Sequence, residues 1–483
     1  MYIIRYSEIG LKGRKARNEM ENLLARNVLK SLKNHGIGGT VKKESGRILI
    51  YPDREDGKAE LAIESTMGVK SFSRCIEYRA EKFEEIVEIA KSHFSDAVRG
   101  KKFAVRSRRS GNQNFTSMDI DRAVGSALYD YSAGVDLHNP DIEIGLEIRD
   151  SLLFLYDRII RGPGGLPLGS QGKLISLMSG GIDSPVATWM MMKRGSPCDI
   201  VFISLAHPVD TVAFLNSATK LLGRWCVGYD PMLHIIDGRP LIEKLSNEDR
   251  YHYQNVEFKK VLYLIAQGLA QEYGHLGIVT GESLGQVSSQ TAENLAALSH
   301  GMDIPIFRPL IGMDKDEIVD IARRIDTLPD SDLGEFCSLF ADRPITKIRA
   351  DTLEDDMRGL DLTENLVRNR FSLRFSEIEK YKASIMDTAD TVKGIQPNSI
   401  VIDLRSAASY DQWHYPGAIS ASLGDIGEIF SKHGKDRVYI VYCKKGLQSA
   451  NAASKIKSLG GNAFYSNETS IRKLSGSALA GKG

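Results

Sequence analysis

The sequence predicts a multidomain protein in which α+β and α/β domains follow one another. Its 483 residues exceed what a single hydrophobic core usually organises, which favours about three or four domains. Up to about residue 165, short strands and helices are mixed, as is typical of α+β structure. From residue 172, apolar strands alternate with helices, which indicates a parallel sheet covered on both faces. A smaller α/β unit begins near residue 396.

The N-terminal region contains both strand and helix periodicities within a short span. Apolar or alternating segments predict strands in YIIRYSEI, GRILIYP, KFAVRSRR, EIGLEIRD and SLLFLYDRII. Helical spacing of apolar residues occurs in ARNEMENLLARNVLKSLKN and EEIVEIAKSHF. The segment GPGGLPLGSQG, residues 162–172, is dense in Gly and Pro and is predicted to be a linker.

The central region has the pattern of an open α/β sheet. Strands are predicted in DIVFISLAH, PMLHIID and LGIVTG, and helices in LNSATKLLGRW and NVEFKKVLYLIAQGLAQEYG. Such a sheet binds its ligands at the carboxyl ends of its strands. A charged, mostly helical stretch, 342–395, then leads to SIVIDLR and RVYIVYC, which are predicted strands of the smaller unit.

Composition narrows the class of protein. Lys plus Arg total 63 and Asp plus Glu total 62, so a polyanion would have to bind a local basic patch. The N-terminus has no apolar signal segment, and no run approaches the about 20 apolar residues of a membrane helix, so we expect a cytoplasmic protein with no membrane partner. The cysteines lie too far apart for a disulfide framework or a clustered zinc site: Cys75, Cys198, Cys226, Cys337 and Cys443.

One loop resembles a phosphate-binding loop that has no lysine. The apolar run 174–178 leads into Ser-Gly-Gly-Ile-Asp-Ser, residues 179–184, and a predicted helix follows. Small residues at such a turn leave backbone N–H groups uncovered and form an anion site, although an ordinary tight turn has the same composition. Ser-Gly-Gly-x-Asp-Ser resembles the loop of the PP-loop ATP pyrophosphatases, which adenylate a substrate and release pyrophosphate. The resemblance implies a parallel-sheet domain in which Asp183 helps to hold Mg²⁺ on ATP.

Two later segments extend this resemblance. GESLGQVSSQT, residues 281–291, follows a predicted strand, and RPLIGMDKDEI, residues 308–318, places Lys315 at a predicted helix start. From composition alone Lys315 is a surface lysine. Both segments resemble those of the ThiI family, tRNA 4-thiouridine synthetases, and the likeness covers nearly the whole chain. It implies that Lys315 takes part in activation, that MgATP is used without a tightly bound prosthetic group, and that ATP contacts Ser179, Gly180, Gly181, Asp183, Ser184, Ser204, His207, Gly281, Gln290 and Arg308.

A basic segment lies in the N-terminal half. Six basic residues and no acidic one occur between Arg99 and Arg109, and strand alternation places Arg106 and Arg108 on one face and Arg109 on the other. A solvated surface gives the same pattern. Residues 99–125 resemble the RNA-binding THUMP domain, and IRYSEIGLKGRKARNEMENLL resembles the ferredoxin-like domain that precedes it. The resemblance implies phosphate contacts from Lys102, Arg106, Arg108, Arg109, Lys12 and Arg14, extended by Lys15 and Arg17.

The C-terminal unit contains a candidate reactive thiol. VIDLRSAASYDQWHYPGAIS resembles the first half of a rhodanese domain, and YIVYCKKGLQSANAAS resembles its active loop, in which Cys443 ends a strand and precedes a helix. Backbone N–H groups and nearby lysines would stabilise a thiolate or persulfide there, although a buried inert cysteine is the alternative. Cys337, in GEFCSLF, has the apolar neighbours of a core residue. The family resemblance implies that it is a second catalytic cysteine.

Together these features predict an ATP-dependent tRNA sulfurtransferase that makes 4-thiouridine, at uridine 8 by resemblance. The expected domains are ferredoxin-like (1–60), THUMP (61–165), PP-loop (172–385) and rhodanese (396–475). The resemblance implies tRNA and a cysteine desulfurase or another persulfide donor as partners, and it allows a homodimer. One alternative is a sulfur carrier for the thiazole of thiamine. Another is an RNA-binding scaffold, which the intact candidate catalytic residues disfavour.

Overall fold

The computed structural model describes residues 1–44, 46–205, 209–247, 253–329, 345–358, 360, 362–388, 394–396, 398–444 and 446–480. The chain forms two compact units. The first comprises Met1–Gln171 with two short segments, Met192–Ser196 and Arg224–Tyr229, and the remainder forms the second. Among the described residues, no helix combines the length and the apolar character that crossing a membrane requires.

The first unit is α+β, as predicted. Its strands are β1 (Tyr2–Arg5), β2 (Gly39–Glu44), β3 (Arg47–Pro52), β4 (Ser71–Arg74), β5 (Ile76–Arg79), β6 (Lys102–Ser110), β7 (Gly134–Val135), β8 (Ile142–Arg149), β9 (Leu152–Tyr156) and β10 (Ile160–Arg161). Its longer helices are α1 (Arg14–Asn34), α2 (Gly57–Glu64), α3 (Phe83–Phe94) and α4 (Ser117–Tyr129). One sheet has the order β10-β4-β1-β3-β2 and the other the order β5-β9-β8-β6-β7.

Helices cover one face of each sheet in the first unit. In α3, Ile86, Ala90 and Phe94 are buried at four-residue intervals, and α4 buries residues at the same spacing. This interval keeps the buried side chains on one face of each helix, which packs on the second sheet. A capping box between Thr116 and Asp119 fixes the start of α4.

The two sheets of the first unit share a buried layer. Ile3 and Leu49 of the first sheet pack with Phe154 and Tyr156 of the second. A glycine at 145 is required here, because a Cβ at this position would lie 2.0 Å from the Tyr156 ring.

A buried ion cluster lies between the same two sheets. Glu147 Oε1 lies 2.6 Å from Arg47 Nε and 2.6 Å from Arg149 Nη2, and Glu147 Oε2 lies 3.4 Å from Arg5 Nε. Arg5 and Arg47 belong to the first sheet, whereas Glu147 and Arg149 belong to the second. We call these four residues the Glu147 cluster. The two sheets are therefore joined by one carboxylate that is shared among three guanidinium groups.

The segment 162–172, predicted to be a linker, is packed into the first unit as far as Gln171. Gly162 N donates to Lys70 O, and Gly164 N donates to Val69 O. Leu166 and Leu168 are buried. The Gly and Pro residues let the backbone turn closely along the first sheet, and the two leucines anchor it there.

The remaining elements alternate strand and helix. The strands are β11 (Leu174–Leu177), β12 (Cys198–Ser204), β13 (Met232–Asp237), β14 (Ile278–Val279), β15 (Ile306–Phe307), β16 (Phe371–Arg374), β17 (Ile400–Asp403), β18 (Ile419–Ser420), β19 (Val438–Cys443) and β20 (Asn462–Asn467). The helices are α5 (Asp183–Lys193), α6 (Val209–Trp225), α7 (Arg239–Asn247), α8 (Gln254–Tyr273), α9 (Ala292–Ser299), α10 (Lys315–Ile325), α11 (Ala350–Met357), α12 (Thr363–Arg368), α13 (Ile378–Thr388), α14 (Ala407–Gln412), α15 (Ile426–His433), α16 (Leu447–Ser458) and α17 (Glu468–Ala480).

The larger sheet of the second unit has the order β15-β14-β11-β12-β13-β16. Its first five strands are parallel, as predicted, but β16 is antiparallel to β13. The strand β16 arises in the stretch 342–395, which was expected to be mostly helical. Its Leu373 is buried and pairs with Leu233 of β13. A short apolar segment within a charged region therefore forms the edge strand of this sheet. An antiparallel strand at the edge of a parallel sheet is common.

The C-terminal sheet has the order β18-β17-β19-β20 and is parallel throughout its described strands. Its central strand β19 is buried along most of its length and ends at Cys443. The helix α16 follows, so the cysteine lies at the carboxyl end of the sheet, as predicted.

Candidate active site

The strand-to-helix turn at 179–184 has the predicted form. It follows the buried strand β11, and α5 begins at Asp183. Ser184 Oγ accepts a hydrogen bond of 2.9 Å from Ser179 N, and Gly181 N lies 3.3 Å from Ser179 Oγ. The serine hydroxyl groups therefore hold the turn closed, and the N-terminus of α5 lies at the carboxyl edge of the sheet.

The structure brings Asp183 and Lys315 together. Lys315 Nζ donates to Asp183 Oδ1 over 2.7 Å. Lys315 is the first residue of α10, and a capping box between Asp314 and Glu317 sets that helix start. The lysine therefore supplies a cation beside the SGGIDS turn, although it does not follow the glycines in sequence.

Gln286 also contacts Asp183 and was not predicted from the sequence. Its Nε2 donates to Asp183 Oδ2 over 2.8 Å, so each carboxylate oxygen accepts from a different side chain. The only signal in the sequence was its place within GESLGQVSSQT, because an uncharged amide carries no pattern of its own.

The loops that carry Gln286 and Lys315 are tied to each other and to α5. Ser283 Oγ donates to Met313 O over 2.6 Å, and Leu284 N donates to Ile311 O over 3.1 Å. Gly281 lies directly against the start of α5, because a Cβ there would approach Ser184 N to 2.8 Å. The close approach explains why a glycine occupies this position.

Beneath the loop lies a buried polar network. Arg308 Nε donates to Glu282 Oε2 over 2.9 Å, and its Nη2 lies 2.8 Å from Ser299 Oγ. Burial alone would raise the pKa of Glu282, but Lys259, the Tyr263 hydroxyl and Arg308 hold it below its ordinary value. These contacts keep the carboxylate charged and fix the loop that follows it.

Of the other residues expected to contact ATP, three have hydrogen-bond partners within the protein and one lies outside the described part. Gln290 Oε1 accepts from Ser283 N at 3.4 Å, and Arg308 is engaged in the network beneath the loop. Ser204, at the end of β12, is buried and donates to Asp210 Oδ1 over 2.8 Å. His207 lies outside the described residues.

The donor set at Asp183 fits magnesium bound together with phosphates. Mg²⁺ is held in such sites by one or two carboxylates while phosphate oxygens and water complete the octahedron. Asp183 supplies a carboxylate beside the anion-binding turn, and Lys315 adds a positive charge. No group of three His, Cys, Asp or Glu side chains suited to a metal ion occurs among the described residues.

Cys443 lies in a hydrogen-bonding environment at the start of α16. Gly446 N donates to Cys443 Sγ over 3.1 Å, and Ser449 Oγ lies 3.5 Å from the sulfur. Gly446 has a φ of 93°, a left-handed conformation that favours glycine, so the turn can direct its N–H at the sulfur. Such contacts stabilise a thiolate or a persulfide anion.

The other described cysteines are buried, as Cys443 is too. Burial raises the pKa of the Cys75 thiol to about 12, and it raises the pKa of the Cys198 thiol as well. Cys226 is buried as well. Cys337 lies outside the described residues.

The predicted RNA-binding side chains are exposed in the first unit. Lys102, Arg106, Arg108 and Arg109 lie along β6, where Arg106 Nη2 donates to Leu137 O. Lys12 and Arg14 lie at the start of α1 and line an open cavity of about 950 Å³. That cavity is also lined by Lys15, Arg17 and Lys43. Three glutamates, Glu19, Glu21 and Glu44, line the cavity as well, and Arg17 pairs with Glu21. Five basic side chains against three acidic ones leave an excess of positive charge, and a helix N-terminus adds to it.

Four family models match successive parts of the chain and together cover most of it. The ThiI family, described as thiamine biosynthesis protein, matches residues 169–362. The ferredoxin-like domain of that family matches residues 1–73, the THUMP domain matches residues 80–157, and the rhodanese-like domain matches residues 387–476.

Similar proteins match over almost the full length. A tRNA sulfurtransferase of Thermoplasma acidophilum is 47% identical over 98% of this chain and 96% of its own. A tRNA sulfurtransferase of Thermoplasma volcanium is 45% identical over 99% of this chain and 98% of its own. A crystal structure of a 4-thiouridine synthetase in complex with RNA and with bound ATP has a TM-score of 0.63 and 30% identity, and it covers 77% of this chain and 98% of that one.

Proposed function

Because the chain belongs to the ThiI family of tRNA sulfurtransferases, we propose that it makes 4-thiouridine in tRNA, using ATP to activate the uridine and a persulfide to supply sulfur. The observation that carries this proposal is the meeting of Asp183 and Lys315 at the SGGIDS turn. It assembles a carboxylate for Mg²⁺, a cation and a helix N-terminus around one anion-binding point. The related 4-thiouridine synthetase that was solved with RNA and ATP supports the same substrates.

We assign RNA binding to residues 1–165. The exposed cations of β6 and of the α1 cavity would contact phosphates of the folded tRNA, recognising its shape more than its sequence. The target is uridine 8 by family resemblance. Residues 172–385 would then carry out adenylation, and residues 396–475 would carry sulfur.

In the adenylation step, O4 of the uracil attacks the α-phosphorus of ATP. The bond between the α-phosphorus and the bridging oxygen breaks, pyrophosphate leaves with the electron pair, and the N3 proton passes to solvent as the C4–N3 double bond forms. The turn at 179–184 would hold the leaving pyrophosphate through its backbone N–H groups. Asp183 would hold Mg²⁺, which neutralises phosphate charge, and Lys315 would stabilise charge that develops during transfer.

In the sulfur step, the terminal sulfur of a Cys443 persulfide attacks C4, and AMP leaves with the electron pair of the C4–O bond. The Cys337 thiolate then attacks Cys443 Sγ, and the electrons of the breaking S–S bond remain on the sulfur now bound to C4. This gives 4-thiouridine and a Cys337–Cys443 disulfide, which a reductant must open. Alternatively, Cys337 releases sulfide from the persulfide first, and the sulfide attacks C4.

The test is reconstitution with a tRNA transcript, ATP, Mg²⁺ and a cysteine desulfurase with cysteine as persulfide donor. We expect one AMP and one pyrophosphate for each 4-thiouridine, measured by nucleoside mass spectrometry. Adenylation without thiolation, or thiolation without ATP, would contradict the proposal. Loss of 4-thiouridine from the tRNA of a deletion strain that still grows without added thiazole would separate this function from sulfur supply to thiamine.

A further inference from the structure

The start of α7 contacts the helix that follows the reactive cysteine. Arg239 Nη1 donates a hydrogen bond of 2.6 Å to Ser454 Oγ on α16. The other edge of the guanidinium is held by Asp237, with Nε 2.8 Å from Oδ1 and Nη2 2.7 Å from Oδ2. Because Asp237 fixes the planar fork, the remaining nitrogen is directed at Ser454 without further ordering of the arginine.

This contact lies at the functional edge of the larger sheet. Asp237 is the last residue of β13 and pairs with Ser204, the last residue of β12. The next strand is β11, which leads into the turn at 179–184. Neighbouring strands are about 4.8 Å apart, so Arg239 lies roughly two strand spacings from the strand that carries the nucleotide turn.

The contact is also close to the reactive thiol along α16. Ser454 lies in the second turn of the helix, which begins at Leu447. A helix rises about 1.5 Å per residue, so Ser454 is roughly 10 Å from the helix start, where Gly446 N meets Cys443 Sγ. The hydrogen bond between Arg239 and Ser454 therefore connects the carboxyl edge of the larger sheet to the helix that follows Cys443.

We propose that Asp237 and Arg239 form a docking site for the helix α16, which places the persulfide-carrying C-terminal module at the carboxyl edge where the uridine is adenylated. We call these two residues the Arg239 docking site. A single hydrogen bond to a neutral hydroxyl makes a modest net contribution, so the module can dock and release. Reversibility suits a carrier that has to meet a sulfur donor and then the activated uridine. This inference rests on the proposed function.

The variants are Arg239→Gln and Ser454→Ala, and the matched control is Arg349→Gln. Arg349 makes a similar local pair with Asp351 on an exposed surface. In Arg239→Gln we expect wild-type pyrophosphate release and wild-type persulfide formation on Cys443. We expect the single-turnover rate of thiolation from the preloaded persulfide to fall about tenfold, which corresponds to the modest net contribution of one hydrogen bond. The thiolation rate of Ser454→Ala should fall by a similar factor, and the rate of the double variant should be no lower than that of either single variant.

Small-angle X-ray scattering of the full chain without substrates provides a readout that does not depend on activity. Arg239→Gln and Ser454→Ala should each increase the radius of gyration, whereas Arg349→Gln should not. An unchanged radius, strictly additive rate effects, or a loss of pyrophosphate release in Arg239→Gln would overturn the docking site. Scattering that agrees with docking in a protein that makes no 4-thiouridine would instead refute the proposed function.

Discussion

Lys315 Nζ lies 2.7 Å from Asp183 Oδ1, although the two residues are 132 positions apart in the sequence. Each is the first residue of a helix, α5 for Asp183 and α10 for Lys315. Two helix N-termini therefore meet at one point of the sheet edge. Their partial positive charges add to that of the lysine, an arrangement that favours an anion such as a phosphate group at this point.

Removing either partner should stop activation without weakening RNA binding. We expect Asp183→Ala and Lys315→Ala each to lower tRNA-dependent pyrophosphate release about a hundredfold or more, because electrostatic stabilisation is lost. Affinity for tRNA, measured by filter binding, should stay within a few-fold of wild type. Lys347→Ala is the control, since Lys347 is an exposed lysine that also faces a carboxylate, Glu293. Normal adenylation in either variant would remove that residue from the site.

Gln286 should act by orienting Asp183. In Gln286→Leu, we expect the Mg²⁺ concentration for half-maximal pyrophosphate release to rise about tenfold, because groups that orient a metal ligand typically contribute that much to metal affinity. The maximal rate at saturating Mg²⁺ should change less. Gln267→Leu is the control, because Gln267 also donates to an aspartate, Asp303, but lies on the surface of α8. An unchanged Mg²⁺ dependence would show that the hydrogen bond serves only to hold the loop.

Neutralising the exposed arginines of β6 should weaken tRNA binding in a salt-dependent manner. For the combined substitution of Arg106, Arg108 and Arg109 by Gln, we expect the slope of log affinity against log salt to decrease by roughly 0.7–0.9 for each phosphate that the protein no longer neutralises. ATP binding should be unchanged. If the slope stays at the wild-type value, the RNA binds to another surface.

Variants of the two candidate catalytic cysteines should stop the reaction at different steps. Cys443→Ser should accept no persulfide and make no 4-thiouridine. Cys337→Ser should accept a persulfide and adenylate tRNA but make little 4-thiouridine, and wild-type protein after one turnover without reductant should yield a Cys337–Cys443 peptide. Thiolation by Cys337→Ser at the wild-type rate would contradict the two-cysteine mechanism.

Glu147 should stabilise the first unit in a pH-dependent way. Burial alone would raise the pKa of Glu147, but Arg47, Arg5 and Arg149 outweigh it and hold the pKa below its ordinary value. The stabilisation is therefore complete above the unfolded pKa and is lost as pH falls through the folded pKa. At pH 7, Glu147→Gln should cost about 3–5 kcal/mol of unfolding free energy, because three guanidinium groups lose their buried counter-ion.

Denaturant unfolding of the full chain, with hydrogen exchange of the amides in the first unit, measures this cost. Glu143→Gln is the matched control, because Glu143 lies on the same strand and is 3.9 Å from Arg106 at the surface. If Glu147→Gln and Glu143→Gln lower the free energy of unfolding equally, the Glu147 cluster contributes no more to stability than a surface ion pair.

Local sequence patterns predicted the elements but not the contacts between them. The strand, turn and helix around 179–184 follow from apolar periodicity and small residues, which act within one segment. That Lys315 would meet Asp183 was implied only by family resemblance, since nothing in an MDKDE turn distinguishes it from a surface lysine. Cys337 and His207, both expected at the site, lie outside the described residues and stay predictions.

The features that the sequence did not predict depend on contacts made in the folded chain, which local sequence patterns do not reveal. Gln286 carries no charge signal, and its role appears only once the loop lies against Asp183. The contact of Arg308 with ATP stays a prediction, and the sequence did not indicate that its Nε and Nη2 groups are directed at Glu282 and Ser299, which only the tertiary fold brings near. The short strand β16 was hidden because its two apolar residues stand in a charged stretch, and pairing with β13 decides its conformation.

The Glu147 cluster also bears on how fast RNA can be captured. The carboxylate of Glu147 in the second sheet pairs with Arg5 and Arg47 of the first sheet. Separating the two sheets would therefore leave buried guanidinium groups without a counter-ion. The surface presented by the two sheets is therefore assembled before any encounter. Binding then requires no closure of one sheet on the other, so association should be limited by diffusion and electrostatic steering, and ionic strength should act mainly on the association rate constant.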